Sequence, residues 1–246
     1  TADDKPIVLT LQTGETDIAA DDVIGKIEFQ APDEGTGTDA VLVAAAIQAR
    51  SEGDFSSSAN ATSLDFMTGA SEAAAKQWSL LSTGHWLPAA TDHGIYLGVN
   101  SATASNLLDD YEEGTWTPVV KSNANTITGG TRLATYTKVG RMVHVFFSIA
   151  GGTTSGTIDN SGDFFRIQGL PFTAANVAGT RYIGTQYNHY TNPATTEENV
   201  VGLVGQNESV IEFVEHDGGG TGYSSARLES VGSNSYAQFA VVYYVE

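Results

Sequence analysis

Short segments in which apolar and polar residues alternate recur along this chain of 246 residues, and Gly, Ser or Asp follows most of them. A period of two is typical of a strand with one buried face, whereas an amphipathic helix has a period near 3.6. Ile27 and Phe29 show this alternation, and residues 143–149 repeat it over a longer stretch. Long amphipathic helical stretches are missing, so the pattern predicts an all-β protein.

Three segments carry more specific expectations. Ile7, Leu9 and Leu11 alternate with their neighbours and predict a first strand. Residues 41–49 also have a period of two, and we favour a strand there, although their alanines would also suit a helix. Residues 70–77 (ASEAAAKQ) form the best short helix candidate.

Charge and aromatic content both change near Gly114, which indicates a domain boundary. Residues 1–114 hold 4 basic and 19 acidic side chains, whereas residues 115–246 hold 7 and 10, together with 16 of the 23 aromatic residues. We therefore expect three segments. A β shaft or base covers residues 1–78, a connector with an acidic junction covers residues 79–114, and a head domain covers residues 115–246.

The first segment has too few large apolar residues to build a core of its own. Its predicted strands are bounded by small polar residues, and a short meander of this kind is marginally stable in water. Small residues such as Ala44 and Ala46 would allow neighbouring chains to approach closely. We therefore expect this segment to share its core with copies of itself, as an obligate oligomer.

The second part has a denser strand pattern. Residues 237–246 alternate with apolar side chains on both faces, which predicts a strand in the middle of a sheet. Seven or eight strands at this spacing favour a jelly-roll-like β-sandwich.

Four short pieces of the first part are GKIEF at 25–29, AAAIQA at 44–49, SLDFMT at 63–68 and LLSTG at 80–84. Together they resemble the shaft of tailed-bacteriophage fibres. The segment NLLDDYEEGTWTPV begins at Asn106 and resembles the junction that precedes a C-terminal head. YTKVG at 136–140 and GLPFT at 169–173 resemble recurring pieces of that head.

This resemblance implies a homotrimeric fibre or spike protein on the virion surface, assembled in the host cytoplasm. Its fold would be a trimeric, intertwined β shaft or base followed by the jelly-roll-like head. Its partners would be two further copies, other virion proteins of tail or capsid, and a host surface glycan or protein. The chain contains no Cys, which suits assembly in a reducing cytosol.

Composition and motifs disfavour several other functions. With 11 basic against 29 acidic residues the net charge is -18, which disfavours nucleic-acid binding. No apolar run approaches the roughly 18 residues that membrane insertion requires. No serine-hydrolase, zinc-protease, phosphate-loop or EF-hand motif is present. We expect no enzymatic activity and no cofactor.

Four acidic residues at the junction are weak candidates for a metal site: Asp109, Asp110, Glu112 and Glu113. Ca²⁺ prefers carboxylate oxygens, and a trimer would bring three copies of these acids to one axis. Adjacent residues on an extended chain point to opposite faces, so a solvated linker is the alternative.

Two further segments are candidates for binding. The receptor or glycan candidates are Tyr187, Asn188, His189 and Tyr190, because aromatic rings stack on sugars while amides bind hydroxyl groups. Packing of these side chains in the protein is the alternative. The virion-docking candidates are Asp3, Asp4, Lys5, Pro6, Ile7 and Val8.

Three other functions compete with the host-binding fibre. The chain could be a capsid-decorating head fibre without receptor function, a glycan-cleaving tail enzyme, or a bacterial carbohydrate-binding adhesin module. Tail enzymes that cleave glycans use paired carboxylates on a long β-helix, and this chain is too short for that architecture.

Overall fold

The computed structural model describes residues 6–31, 39–122, 125–128, 131–150, 153–155, 165–189, 192–193, 200–216, 223–225, 228–230 and 236–246. Within these ranges the chain forms antiparallel strands and two short 3₁₀ helices, Asp39–Val41 and Ala104–Asn106. The all-β prediction is confirmed. Among the described residues, neither helix is long or apolar enough to cross a membrane.

The chain divides into two compact units, Thr1–Asp109 and Asp110–Glu246. Five strands of the first unit pair in chain order as one antiparallel meander. They are β1 (Val23–Gln30), β2 (Val43–Ser51), β3 (Thr62–Thr68), β4 (Ala75–Leu80) and β5 (Trp86–Pro88). A separate two-stranded sheet joins β6 (Ile95–Tyr96) to β7 (Leu107–Leu108).

The three specific expectations for this unit have different outcomes. The strand predicted over residues 41–49 is confirmed from Val43 onwards, where β2 lies between β1 and β3, whereas Val41 ends a 3₁₀ helix. The helix over residues 70–77 is wrong: Ala75–Leu80 forms β4, because backbone pairing with β3 outweighs the helix propensity of alanine. The strand over residues 7–11 is also wrong. These residues alternate in sequence but pair with no described strand.

The second unit is richer in strands than the first. In chain order these strands are β8 (Tyr111–Thr115), β9 (Val119–Ser122), β10 (Asn125–Thr128), β11 (Thr131–Val139), β12 (Met142–Ala150), β13 (Thr153–Ser155), β14 (Phe165–Gln168), β15 (Arg181–Ile183), β16 (Thr185–His189), β17 (Asn192–Pro193), β18 (Val200–Gly205), β19 (Val210–His216), β20 (Tyr223–Ser225), β21 (Leu228–Ser230) and β22 (Tyr236–Tyr244).

Two large sheets organise these strands. One has the order β16-β22-β12-β11-β8, and the other has the order β13-β10-β9-β14-β19-β18-β15 with β20 beside β19. A small sheet pairs β17 with β21. The C-terminal strand β22 lies between β16 and β12, so the prediction of a central strand is confirmed.

Side chains from both large sheets form one buried core. Phe213 of β19 and Phe239 of β22 meet with ring centroids 5.5 Å apart, and Phe147 of β12 lies 6.1 Å from Phe239. Ile167 and Ile211 add fully buried aliphatic side chains from the larger sheet. The second unit therefore has the hydrophobic core that an independent domain needs.

The predicted connector, residues 79–114, contributes strands to both units. β5 completes the first meander, and β8 pairs with β11 of the second unit along its whole length. The division between the units falls between Asp109 and Asp110.

The ring of Phe239 requires glycine at two neighbouring positions. A Cβ on Gly202 would lie 2.2 Å from this ring, and a Cβ on Gly184 would lie 2.3 Å from it. Both distances are far below van der Waals contact, so a side chain at either position would displace the central aromatic residue of the core.

We expect Gly202→Ala to lower the free energy of unfolding by about 1–3 kcal/mol through overpacking. Urea titration of the purified chain measures this loss. The matched control is Gly205→Ala on the same strand, where the new Cβ would meet only the exposed side chain of Glu208 at 3.2 Å. Equal losses for both variants would contradict the packing argument.

Candidate functional site

The meander of the first unit has one face built from apolar side chains. Ile27 lies opposite Ile47 in the register, and Phe66 lies opposite both Ile47 and Trp78. Residues two positions apart on a strand share a face. The apolar sheet face therefore comprises Gly25, Ile27, Phe29, Ala45, Ile47, Ala49, Leu64, Phe66, Trp78, Leu80, Trp86 and Pro88.

Large side chains of the apolar sheet face remain exposed to solvent. Phe29 is 55% exposed and Trp86 is 57% exposed, although Trp86 packs against Phe66 at 5.2 Å. Leu11 covers one end of the face, where a Cβ on Gly25 would approach it to 3.0 Å. A contiguous exposed apolar surface of this kind marks a site of association.

The first unit has almost no hydrophobic core of its own. Among its described residues, Ala46 is the one apolar residue that is buried. The apolar sheet face carries no charge, although residues 1–109 contain 16 Asp and Glu and 4 Lys and Arg. The charged residues thus lie elsewhere, and the largest apolar residues of the meander face outward.

The opposite face of the meander is polar and centred on Asp65, whose side chain is fully buried. Arg50 Nε donates to Asp65 Oδ2 at 2.8 Å, and Ser79 Oγ donates to Oδ1 at 2.6 Å. Ser63 Oγ and Gln48 Nε2 donate to the same carboxylate at 3.2 Å and 3.3 Å. Every carboxylate oxygen is therefore satisfied, which burial of a charge requires.

The segment before β1 is hydrogen-bonded to the end of β2. Asp21 accepts a hydrogen bond from Arg50 Nη1 at 2.5 Å, and its backbone N–H donates to the Ser51 carbonyl at 3.1 Å. The Ser51 N–H in turn donates to the Asp22 carbonyl at 2.9 Å, and its hydroxyl donates to the Ala19 carbonyl. Because Ser51 shares a face with Ala49 whereas Arg50 lies on the polar face, residues 19–22 contact both sides of the sheet at the end of β2.

The environment of Asp65 acts on its pKa in two directions. Burial raises the pKa, whereas the hydrogen bonds from Arg50, Ser79 and Gln48 lower it, and the resulting pKa lies below the ordinary value. The hydrogen bond with Asp65 raises the pKa of Arg50 above its ordinary value. The ionised pair is therefore the form that the fold stabilises.

The predicted acidic junction leads into an edge strand of the second unit. Lys138 Nζ donates to Asp110 and also lies 5.5 Å above the ring of Phe172. The carbonyl of Asp110 accepts from the Gly140 N–H at 2.7 Å. These contacts fix the start of β8 to the end of β11.

Two of the other junction acids accept hydrogen bonds from tyrosines. Tyr136 OH donates to Glu112 and Tyr111 OH donates to Glu113, and each bond raises the pKa of its tyrosine. Among the described residues, which include Asp109, no three His, Asp or Glu side chains gather as a metal site would require. The calcium site at a trimer axis stays a prediction.

The receptor candidates lie on or just beyond β16. The backbone of residues 187–189 pairs with β22, where Tyr187 lies opposite Gln238 and His189 lies opposite Tyr236. The side chains of Tyr187, Asn188 and His189 lie outside the described part of the structure, and so does all of Tyr190.

The virion-docking candidates are described in part. Asp3, Asp4 and Lys5 lie outside the described residues. Pro6, Ile7 and Val8 are exposed, and no described strand includes them.

Comparison with known proteins gives no relative. No family model, no curated protein and no solved structure matches this chain.

The Asp65 network was not predicted from the sequence. Arg50 and Gln48 come from β2 and Ser79 comes from β4, so the cluster forms only when the register aligns three strands. The one available signal in the sequence is that Ser63 and Asp65 are both polar, lie two positions apart on β3 and therefore share a face.

Asp65→Asn should lower the free energy of unfolding at pH 7 by about 1–3 kcal/mol, because Arg50 loses its buried anionic partner. Since the folded pKa of Asp65 is depressed, its contribution is present above the unfolded pKa of about 3.9 and disappears as the pH falls through the lower folded value. Urea titrations at pH 7 and pH 3 measure both effects.

The variant should therefore lose more stability at pH 7 than at pH 3, relative to the unmodified chain. The matched control is Asp92→Asn, the same substitution at an exposed turn. A loss at pH 7 that Asp92→Asn reproduces would contradict a specific role for the network.

Proposed function

We propose that the chain is a non-enzymatic structural protein of a tailed-bacteriophage particle. It would form a homotrimeric fibre or spike on the virion surface, with the second unit as the head that contacts a host glycan or protein. The resemblance of its short sequence pieces to phage fibres suggests this biological setting. The apolar sheet face of the first unit is the observation that carries the assembly part of the proposal.

A sheet of one layer needs a cover on its apolar side. Burying apolar surface contributes about 25 cal/mol per Å², and the first unit buries little of it within one chain. The missing cover must be present whenever the unit is folded, because a meander without a packed face is marginally stable. Other copies of the same chain are always available at synthesis, so we assign the cover to them.

Charge supports copies of the chain as the cover. A chain with a net charge of -18 repels its own copies wherever acidic surfaces meet. The apolar sheet face carries no charged residue, so copies can meet there without burying an unpaired carboxylate. The face is thus the part of the first unit where self-association costs least.

The fibre-like pieces of the sequence occupy successive strands of this meander. Residues 25–29 lie in β1, residues 44–49 lie in β2 and residues 63–68 lie in β3, while residues 80–84 follow from the end of β4. Each of the first three pieces contributes alternate residues to the apolar sheet face. This arrangement supports the proposal of a fibre. The pieces that resemble a fibre shaft supply the apolar sheet face, and the subunits of a shaft would bury such a face against one another.

The proposal includes the finer features that the resemblance implies. The three first units would intertwine as a shaft or base, and the two sheets of the second unit would be a jelly-roll-like sandwich head. Residues 3–8 would dock to tail or capsid proteins. The receptor would bind at residues 187–190.

We expect Ile27→Asp to dissociate the assembly, because a carboxylate would be buried without a partner. Light scattering of the unmodified chain should give three times 25.8 kDa, and the variant should give a smaller mass or fail to fold. The matched control is Lys26→Gln, which makes the same change in net charge on the opposite face of β1. A mass of 25.8 kDa for the unmodified, folded chain would refute the shared face.

Immunogold labelling with an antibody against the chain tests the virion assignment directly. Particles released from cells that naturally produce the chain should carry gold at the tail or on the capsid. A few to a few tens of copies per particle would favour a tail fibre, and many more would favour the capsid-decorating alternative. Particles without the chain would exclude both.

A further inference from the structure

One lysine of the second unit lies inside its core. Lys138 of β11 is 9% exposed, and it is the one charged residue that is buried in the described part of this unit. Its register partner Val143 on β12 is fully buried, and residues opposite each other on neighbouring strands share a face. The ammonium group lies 5.5 Å from the centre of the Phe172 ring. A lysine is almost never buried to this degree without a partner.

The partner of Lys138 is Asp110, which directly precedes β8. Lys138 Nζ donates to Asp110 Oδ2, and the carbonyl of Asp110 accepts from the N–H of Gly140 at 2.7 Å. The backbone bond holds Asp110 beside the end of β11 and so keeps its carboxylate near the ammonium group. The Asp110 side chain is 46% exposed, which leaves one side of the carboxylate open to water.

A second carboxylate belongs to the same face. Glu112 of β8 lies opposite Lys138 in the register, and Tyr136 OH donates to its carboxylate. Tyr136 in turn lies opposite Gly114, where a Cβ would approach the tyrosine ring to 2.7 Å. Glycine at this position therefore allows the ring to lie against β8 and to hold Glu112. The rings of Tyr136 and Phe172 meet edge to face, 5.4 Å apart.

This arrangement of an amine and two carboxylates is suited to amide formation. An amine attacks a carboxyl carbon far faster when the two groups are held in contact, because folding has already removed the entropy of bringing them together. As an ion pair the two groups contribute little net stability, since desolvation offsets much of their attraction. An amide would remove both charges and keep the side chains linked. The chain has no Cys, so no disulfide can supply such a link.

We propose that Lys138 and Asp110 become joined by an amide bond, an isopeptide, once the second unit has folded. A proton passes from Nζ to Oδ2 along their hydrogen bond, which leaves a neutral amine and a neutral carboxyl group. Nζ attacks Cγ, so an N–C bond forms and the bond from Cγ to Oδ2 breaks. Glu112 takes one proton from Nζ and delivers it to the departing hydroxyl group. One water molecule leaves through the open side of Asp110, and the reaction consumes no oxidant, reductant or other reactant.

The bond would fix the first strand of the second unit. Asp110 is the first residue of this unit, and β8 lies at the edge of its five-stranded sheet. A covalent link between residues 110 and 138 restricts the unfolded chain in the way that a disulfide does, and it prevents β8 from separating from β11. The inference concerns one second unit alone, so it is independent of the assembly and of the host contact proposed above.

The mass of the denatured full chain tests the bond directly. The purified protein should be lighter than the mass calculated from its sequence by one water molecule. Trypsin cleaves after Lys and Arg, and amide formation blocks the cleavage after Lys138. The digest should therefore contain a branched species in which residues 77–121 are joined to residues 133–141.

Two pairs of variants assign the bond and the proton transfer. Lys138→Arg keeps the positive charge, but a guanidinium group stays protonated and does not attack, so the full sequence mass should return. Its matched control, Lys121→Arg, changes the other lysine of the second unit and should keep the water loss. Glu112→Gln should slow the water loss after cell-free synthesis by about 100-fold, whereas Glu113→Gln on the opposite face of β8 should not.

Several results would overturn the inference. The first is a folded, unmodified chain with its full sequence mass, and the second is a water loss that persists in Lys138→Arg. The third is a water loss without the branched peptide, for example at Asp217, because an Asp-Gly pair can lose one water molecule as a succinimide. Water loss at the unmodified rate in Glu112→Gln would overturn the proton transfer by Glu112 alone.

Discussion

The uncovered apolar face of the first meander is the constraint on which the rest of this structure depends. A sheet gains stability by burying one face, and this unit exposes aromatic residues such as Phe29 and Trp86 on the face that should be buried. The second unit has no such deficit, because Phe239 and its neighbours fill a core between two sheets. The two units therefore differ: the second folds around its own side chains, and the first leaves the large apolar side chains of one sheet face exposed.

The buried carboxylate of Asp65 gives the first meander a defined orientation. A single-layer sheet could in principle be covered on either side. The network around Asp65 satisfies the buried polar groups of one side within the chain. A buried ion pair is weak evidence for net stability, since desolvation offsets much of the attraction. Its effect here is to fix the register of β2, β3 and β4, so that Ile47, Phe66 and Trp78 align on the open side.

Local patterns in the sequence predicted the strands well where alternation and pairing agree. The alternation in residues 143–149 identified the strand and its buried face, because side-chain period is a local property. The apolar pattern of residues 237–246 identified a strand in the middle of a sheet, although Val242 and Tyr244 on one of its faces are exposed. Residues 70–77 and 7–11 were predicted wrongly, since a neighbouring strand decides whether such a segment pairs. The Asp65 network could not be predicted for the same reason: its members extend from Gln48 to Ser79 and meet only through register. The shortage of core residues, in contrast, is a matter of composition and was visible in the sequence.

Charge placement distinguishes the two faces of the first meander. With 29 acidic residues against 11 basic ones, random placement would put carboxylates on every face. The apolar sheet face has none. Repulsion between the remaining acidic surfaces opposes nonspecific association. In the proposed assembly, the uncharged sheet face is where copies of the first unit would meet with the least repulsion.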